Sequence, residues 1–303
     1  MKILTVHHAT TYRYREAVSF GEHRLMLRPR DSHDLRLLRS QLTLSPPGVV
    51  RWHYDVFGNS VAVASFSAPA EELKIASTLL LERYALERPV FPIAPEAETY
   101  PFVYSTSDRT DLGRLLEQHY PDPKGVVAAW AQQFVVQKGI DTIELLATMN
   151  AAIKRDFAYA SRDTEGTQSP IETLESGGGS CRDFALLLIE AVRCLGFGAR
   201  FVTGYLYDPI LDGGQGDAVQ GAGATHAWAD IYLPGAGWVE YDPTNGLVAG
   251  ENLIRVAVTR DPSQAIPVEG SFIGDPASFV AMDVQVTVSS GSELPAPSPS
   301  LTS

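Results

Sequence analysis

Apolar and polar residues alternate through residues 1–86 at the two-residue period of a β-strand. The runs "ILTVHHATTYRYR", "EHRLMLRPR", "RSQLTLSP", "VVRWHYDVFGNSVAVASF" and "ELKIASTLLLERY" are separated by Gly, Pro, Asn and Asp. Within them, "DVFGNSVAVA" reads as a hairpin turning at Gly58-Asn59. These features predict an antiparallel β domain over 1–86. Four prolines then break the pattern over 87–111, which predicts a linker crossing a surface. The period lengthens next to that of a helix in "DLGRLLEQHY", "PKGVVAAWAQQFVVQK" and "DTIELLATMNAAIKRDF", the last opened by Asp141 as N-cap. A further helix is predicted over 181–195. Phe184, Leu187, Leu188, Ala191 and Leu195 form its apolar face, and Gly196 ends it. Strands return in "ARFVTGYLYD", "THAWADIYLP", "GWVEYDP", "RVAVTRD" and "FVAMDVQVTVSS", so that 112–288 forms the second folded unit. The Gly- and Asp-rich "PILDGGQGDAVQGAGA" predicts a mobile loop, and the composition of 289–303 predicts a disordered tail.

With 303 residues, 45% of them hydrophobic, the chain can bury real cores. Its 24 basic and 36 acidic residues leave a net charge of −12, which argues against a nucleic-acid partner. No run of about twenty apolar residues is present, so no membrane span is expected. The opening "MKILTVHHATTYRY" lacks the apolar core of a secretory signal, and a cytoplasmic location is expected.

Both cysteines fall in "SGGGSCRDFALLLIEAVRCLG". At about 1.5 Å of rise per residue, one helix holds their Cα atoms roughly 20 Å apart. A disulfide needs about 7 Å or less, so the two form neither a bridge nor a shared metal site. Cys194 reads as a small buried hydrophobe. Cys181 opens the helix after three glycines. There the unpaired amides and the helix dipole favour a thiolate, and the glycines permit close approach of a substrate backbone. A thiolate needs a base, and the base an orienting acceptor. Of seven histidines, His226 alone lies in the later strands. A hairpin centred on Pro234 would set His226 opposite Asp242, Trp228 opposite Glu240 and Asp230 opposite Trp238. The other face would then carry Ala227, Ala229, Ile231, Val239 and Tyr241 into the core.

Three blocks, Gly-x-Cys-Arg-Asp-Phe-Ala, His-Ala-Trp and Gly-Trp-x-x-x-Asp-Pro-Thr-Asn, together resemble the core of the bacterial transglutaminase-like superfamily over roughly 140–250. "HHATTYRYREAVSFGEHRLMLRPR" and "YDVFGNSVA" resemble the β domain that precedes this core in bacterial proteins. One stretch, "VTRDPSQAIPVEG", departs from the Gly-Arg-Asp-Tyr-type continuation of relatives. The resemblance implies an α+β chain in which a nucleophile helix packs on an antiparallel sheet, the papain-like arrangement. It implies Cys181, His226 and Asp242 as the catalytic triad. It further implies acyl transfer from carboxamides of proteins or peptides through a thioester, or amide hydrolysis by the same three groups. A third reading is a non-catalytic binding module, against which the complete triad argues. Cysteine acyl transfer calls for no metal and no cofactor. Tyr205, Trp228 and Trp238 either line an acyl groove or pack the sheet. Arg182 either meets a substrate carboxylate or pairs with an acid, and Asp183 suits the helix dipole.

Overall fold

A computed structural model of the chain describes residues 2–84, 90–160, 166–212, 220–221, 223–250 and 252–291. Six strands open it: β1 (Lys2–Phe20), β2 (His23–Arg28), β3 (Leu35–Ser45), β4 (Gly48–Tyr54), β5 (Ser60–Phe66) and β6 (Ala70–Arg83). They form two antiparallel sheets, with β6 between β1 and β3, and β5 between β2 and β4. The face-to-face core between them holds Leu25, Leu27, Ala62, Ala64, Leu73 and Ile75. The β4–β5 hairpin forms as predicted, but Tyr54 stands opposite Ser60, so the turn is the five residues 55–59, centred on Phe57 rather than on Gly58-Asn59. Gly58 there takes φ 76°, a left-handed conformation in which a Cβ is strained.

The segment predicted as a linker is bound down. Phe91, Ile93, Tyr100 and Phe102 pack on the second core, and Ala94 N donates to Pro234 O at 2.8 Å. Thr99–Tyr100 (β7) pairs with Ile140–Asp141 (β8). Of the helix predicted over 111–120 only the first two residues are α-helical: α1 runs Thr106–Leu112, started by Ser105 Oγ capping Asp108 N at 3.0 Å, and Gly113–Leu116 is a 3₁₀ turn. Asp122 accepts from Val126 N, Val127 N and Ala128 N and thereby starts α2 (Val126–Gln132), shorter than its apolar run suggested. Helix α3 (Thr142–Asp156) begins at its predicted cap, with Asp141 accepting from Glu144 N at 2.8 Å. Ala158–Tyr159 (β9) pairs in parallel with Gly178–Gly179 (β10), which follows α4 (Pro170–Ser176).

Helix α5 (Cys181–Cys194) is the central element, and residues 184–192 are 1% exposed or less. It ends as its sequence predicted. Gly196 N reaches Arg193 O and Phe197 N reaches Val192 O, the two bonds of a Schellman motif. It packs on an antiparallel sheet of β11 (Ala199–Leu206), β12 (Thr225–Leu233), β13 (Gly237–Asp242), β14 (Leu247–Val248) and β15 (Leu253–Thr259), in the order β14–β13–β12–β11–β15. The predicted set Ala227, Ala229, Ile231, Val239 and Tyr241 shares one cluster with α5. The chain is thus α+β, with helix α5 on an antiparallel sheet in the papain-like manner.

The chain then returns to the N-terminal sheets, contrary to the assignment of 112–288 to one catalytic unit. Val268–Glu269 (β16) pairs with β2, while Phe272–Ile273 (β17) and Phe279–Ser290 (β18) pair with β1. The nineteen-residue β1 offers a free edge opposite β6, and β18 fills it. Val286 and Val288 close a core shared between the two units, with Leu4, Val6, Tyr205, Ile254 and Val256. Ser289 and Ser290 belong to β18. The rest of the predicted tail from 292 onward, and half of the predicted loop (213–219 and 222), lie outside the described residues.

Candidate active site

The approach to Cys181 is built by its own neighbours. A Cβ on Gly178 would stand 2.7 Å from Ala158 O, and one on Gly179 would stand 2.8 Å from Asp183 Cβ. These glycines therefore admit the β9 segment and the helix's own first turn, rather than a substrate backbone. Asp183 does more than suit the helix dipole. It is fully buried and accepts from Ser180 N at 2.8 Å, Ser180 Oγ at 2.9 Å and Gln168 N at 2.7 Å. Its carboxylate fixes the angle at which the chain enters α5, and the Ser-x-x-Asp spacing was the sequence signal for it.

The β12–β13 hairpin is registered two residues from expectation. Asp230 lies opposite Glu240 and Ile231 opposite Val239. The three-residue turn 234–236 is centred on Gly235 rather than Pro234, because Gly235 adopts φ 84° where proline is locked negative. A shift of two keeps every side chain on its face. His226 accordingly meets Asp242 diagonally, with His226 Nε2 donating to Asp242 Oδ2 at 2.9 Å. Asp242 also accepts from Asn245 Nδ2 at 2.8 Å and Thr244 N at 3.0 Å.

The electrostatics follow from burial and neighbours. Both side chains are 0% exposed. Burial disfavours imidazolium, but the charge and hydrogen bond of Asp242, joined by Cys181, overturn that and push the His226 pKa up to about 10. For Asp242, burial favours the neutral acid, yet His226 and the Asn245 bonds hold its carboxyl below the usual range. With Nε2 committed to Asp242, His226 Nδ1 is buried without a geometric hydrogen-bond partner among the described residues and is the nitrogen left for Cys181. Cys181 itself retains 9% exposure. The three groups are therefore gathered as the residue patterns predicted: a thiol at a helix start, an imidazole beside it and a carboxylate behind. Such a set can hold a thiolate–imidazolium pair.

The other predicted contacts fall elsewhere. Trp228 is 0% exposed, buried with Val202, Leu206, Leu253 and Val258, so it offers no surface to an acyl chain. Tyr205 is buried against the N-terminal sheets, its hydroxyl bonded to His8 Nδ1 at 3.0 Å. The two lie on opposite faces of the sheet, and residues of the N-terminal unit pack on each: Phe57 on the Trp228 cluster, and Leu4 and Val6 with Tyr205. Trp238 instead lies under the Arg200 guanidinium at 4.1 Å. Arg182 is half-buried in the first turn of α5. Cys194 is a free, half-buried thiol accepting from Gln118 Nε2, and burial first, then Asp122 and Glu190, push its pKa up to about 11. Sequence reasoning missed Asn245, although it stood in the Asp-Pro-Thr-Asn block. It also missed Gly221, where a Cβ would stand 2.8 Å from His226 Nδ1.

Two family models match this architecture: the bacterial transglutaminase-like N-terminal region over residues 4–82 and the transglutaminase-like superfamily over 128–243. Residues 128–243 thus carry a transglutaminase-like core. The superfamily is a cysteine-based enzyme family, and the core match ends one residue after Asp242. Among relatives of this transglutaminase-like protein, an uncharacterised protein of Mycobacterium tuberculosis is 28% identical over 292 residues, 93% of this chain and 91% of its own. One from Mycobacterium leprae is 28% identical over 285 residues, 94% of this chain and 98% of its own. A crystal structure from Cytophaga hutchinsonii, provisionally assigned as a cysteine protease, shares the fold. Its TM-score is 0.71 at 21% identity, covering 98% of this chain and 93% of that one. No described helix is long and apolar enough to cross a membrane.

Proposed function

We propose that this transglutaminase-like protein transfers acyl groups from carboxamides of proteins or peptides, with Cys181, His226 and Asp242 as its catalytic residues. The observation carrying the reading is the buried imidazole bonded to Asp242 through Nε2, its Nδ1 free for Cys181. The Cys181 thiolate attacks the carboxamide carbonyl, forming a C–S bond. The Cys181 backbone N–H at the helix start faces the developing oxyanion. As the C–N bond breaks, imidazolium gives its proton to the nitrogen, which leaves as ammonia or an amine. His226 then takes a proton from the acceptor, which attacks the thioester and frees the Cys181 thiolate. An amine acceptor gives transfer, and water gives hydrolysis.

The test incubates the protein with a Gln-containing peptide, with and without a primary amine, and reads product masses. An amine adduct absent from Cys181→Ala supports transfer. Deamidated or cleaved peptide alone, equally dependent on Cys181, replaces transfer with hydrolysis. Product formation unaffected by Cys181→Ala removes the nucleophile from the scheme.

A further inference from the structure

The turn "DVFGN" of the N-terminal β domain has no part in the chemistry proposed above, yet it is held by three hydrogen bonds to one carboxylate. Asp55 Oδ1 accepts from Phe57 N at 3.0 Å and Asn59 N at 2.8 Å, and its Oδ2 accepts from Asn59 Nδ2 at 2.8 Å. The tip thus shaped points two side chains at the catalytic sheet. Asn59 Nδ2 donates to Val258 O at 2.7 Å, and Val258 N donates to Asn59 Oδ1 at 2.9 Å. Strand β15 is an edge of that sheet, and the Asn59 amide pairs with it as another strand's backbone would. Beside this clasp, Phe57 packs on the buried cluster of Val202, Leu206, Trp228, Leu253 and Val258. The Trp228 ring in turn stacks on His226, with ring centroids 6.1 Å apart and planes 29° from parallel. Behind Trp228 there is no slack, since a Cβ on Gly204 would stand 2.9 Å from its Cη2.

We infer that Phe57 and Asn59 are positioning residues, which hold the His226 imidazole in line between Asp242 and Cys181 by fixing Trp228 and β15 from outside the catalytic unit. This rests on the triad reading above and assigns the N-terminal unit a part in it. The titratable groups acting on the imidazole are Asp242 and Cys181, and both act in turn on Tyr159. All three belong to the catalytic unit. An effect of Phe57 on His226 therefore travels by packing and not by charge. Imidazoles displaced by fractions of an ångström lose alignment, and misplacement of about 1 Å costs up to roughly 10²-fold in rate.

The test follows iodoacetamide labelling of Cys181 by mass spectrometry across pH in the full chain. Phe57→Ala and Asn59→Ala are expected to slow labelling at pH 7 by roughly tenfold. They should also shift the upper inflection, set by the imidazolium near pH 10, downward by about half a unit or more. Phe57→Leu, which keeps the apolar contact, should restore both. Two controls separate positioning from stability. Val56→Ala alters a 94% exposed residue of the same tip. Val50→Ala loosens the N-terminal core away from it. Both should label like the parent. The inference is overturned if folded Phe57→Ala and Asn59→Ala keep the parent rate and inflection, or if Val50→Ala slows labelling equally. Should Phe57→Ala fail to fold, Asn59→Ala and Phe57→Leu decide it. If the parent labels no faster than a free thiol and His226→Ala changes nothing, the triad itself fails, a result distinct from the first two.

Discussion

Two histidines of this chain, His8 on β1 and His226 on β12, are each 1% exposed, yet they hold protons oppositely. His8 has only neutral partners, Tyr205 Oη at 3.0 Å and Thr10 Oγ1 at 3.2 Å. Burial, with a smaller push from His7, lowers its pKa to about 4. His226 is as deeply buried, but the Asp242 carboxylate lies 2.9 Å away and its pKa stands near 10. Burial alone silences a histidine, whereas burial beside a carboxylate makes it a standing cation. One carboxylate separates a structural imidazole from one able to hold a thiolate.

The most forceful way to break this contrast is Asp242→Asn, which takes from His226 the carboxylate that His8 also lacks. Turnover is expected to fall by about 10³–10⁴-fold, as when other triads lose their orienting carboxylate. The product assay of the carboxamide peptide checks this, and a loss of less than tenfold would detach Asp242 from the triad.

The next effect concerns stability at His8. Its folded pKa, near 4, lies below the unfolded value of 6.5, so the unfolded chain binds the proton first as pH falls. Its contribution is therefore complete above pH 6.5 and is lost between 6.5 and 4, by up to about 3 kcal/mol. Urea unfolding at pH 7 and 4.5 should show this loss, with a shallower loss in His8→Gln. For His226 the sign reverses. Its pKa is raised from 6.5 to about 10, so its contribution is whole below 6.5 and lost as pH rises toward 10.

A finer test removes the lesser support of that cation. In Cys181→Ala the imidazole should titrate below 10, by about one unit, while staying above 6.5 because Asp242 remains. Titration of its ring protons by NMR measures this, and an unchanged value would place Cys181 out of reach of His226. The smallest effect belongs to the other cysteine. Cys194→Ala should leave turnover within about twofold, and at pH 8 iodoacetamide should mark Cys181 well before Cys194, whose pKa is pushed up to about 11.

Much of this was legible before folding. Alternation in β12 and β13 showed that His226 and Asp242 share a face, and helix periodicity separated Cys181 from Cys194. Asp141 and Gly196 marked helix ends correctly, because caps and Schellman turns are satisfied within a few residues. The hairpin register was missed by two because it depends on which turn residue takes positive φ, and Gly235 does so against the strap at Pro92–Ala94. The substrate-groove reading of Trp228 and Tyr205 failed for another reason. Nothing within β11 or β12 announces that a second unit packs on Tyr205 from one face and on the Trp228 cluster from the other.

The sequence by itself determined the periodic and the local: which elements form, which side chains share a face, and which cysteine opens a helix. Two- and 3.6-residue periods are properties of a single backbone segment. Only the tertiary structure decided what those faces meet. Asn59 reaches Val258 across 199 positions, Tyr205 reaches His8 across 197, and β18 closes on β1 from the far end of the chain. Such pairings arise from packing between elements that carry no local record of one another.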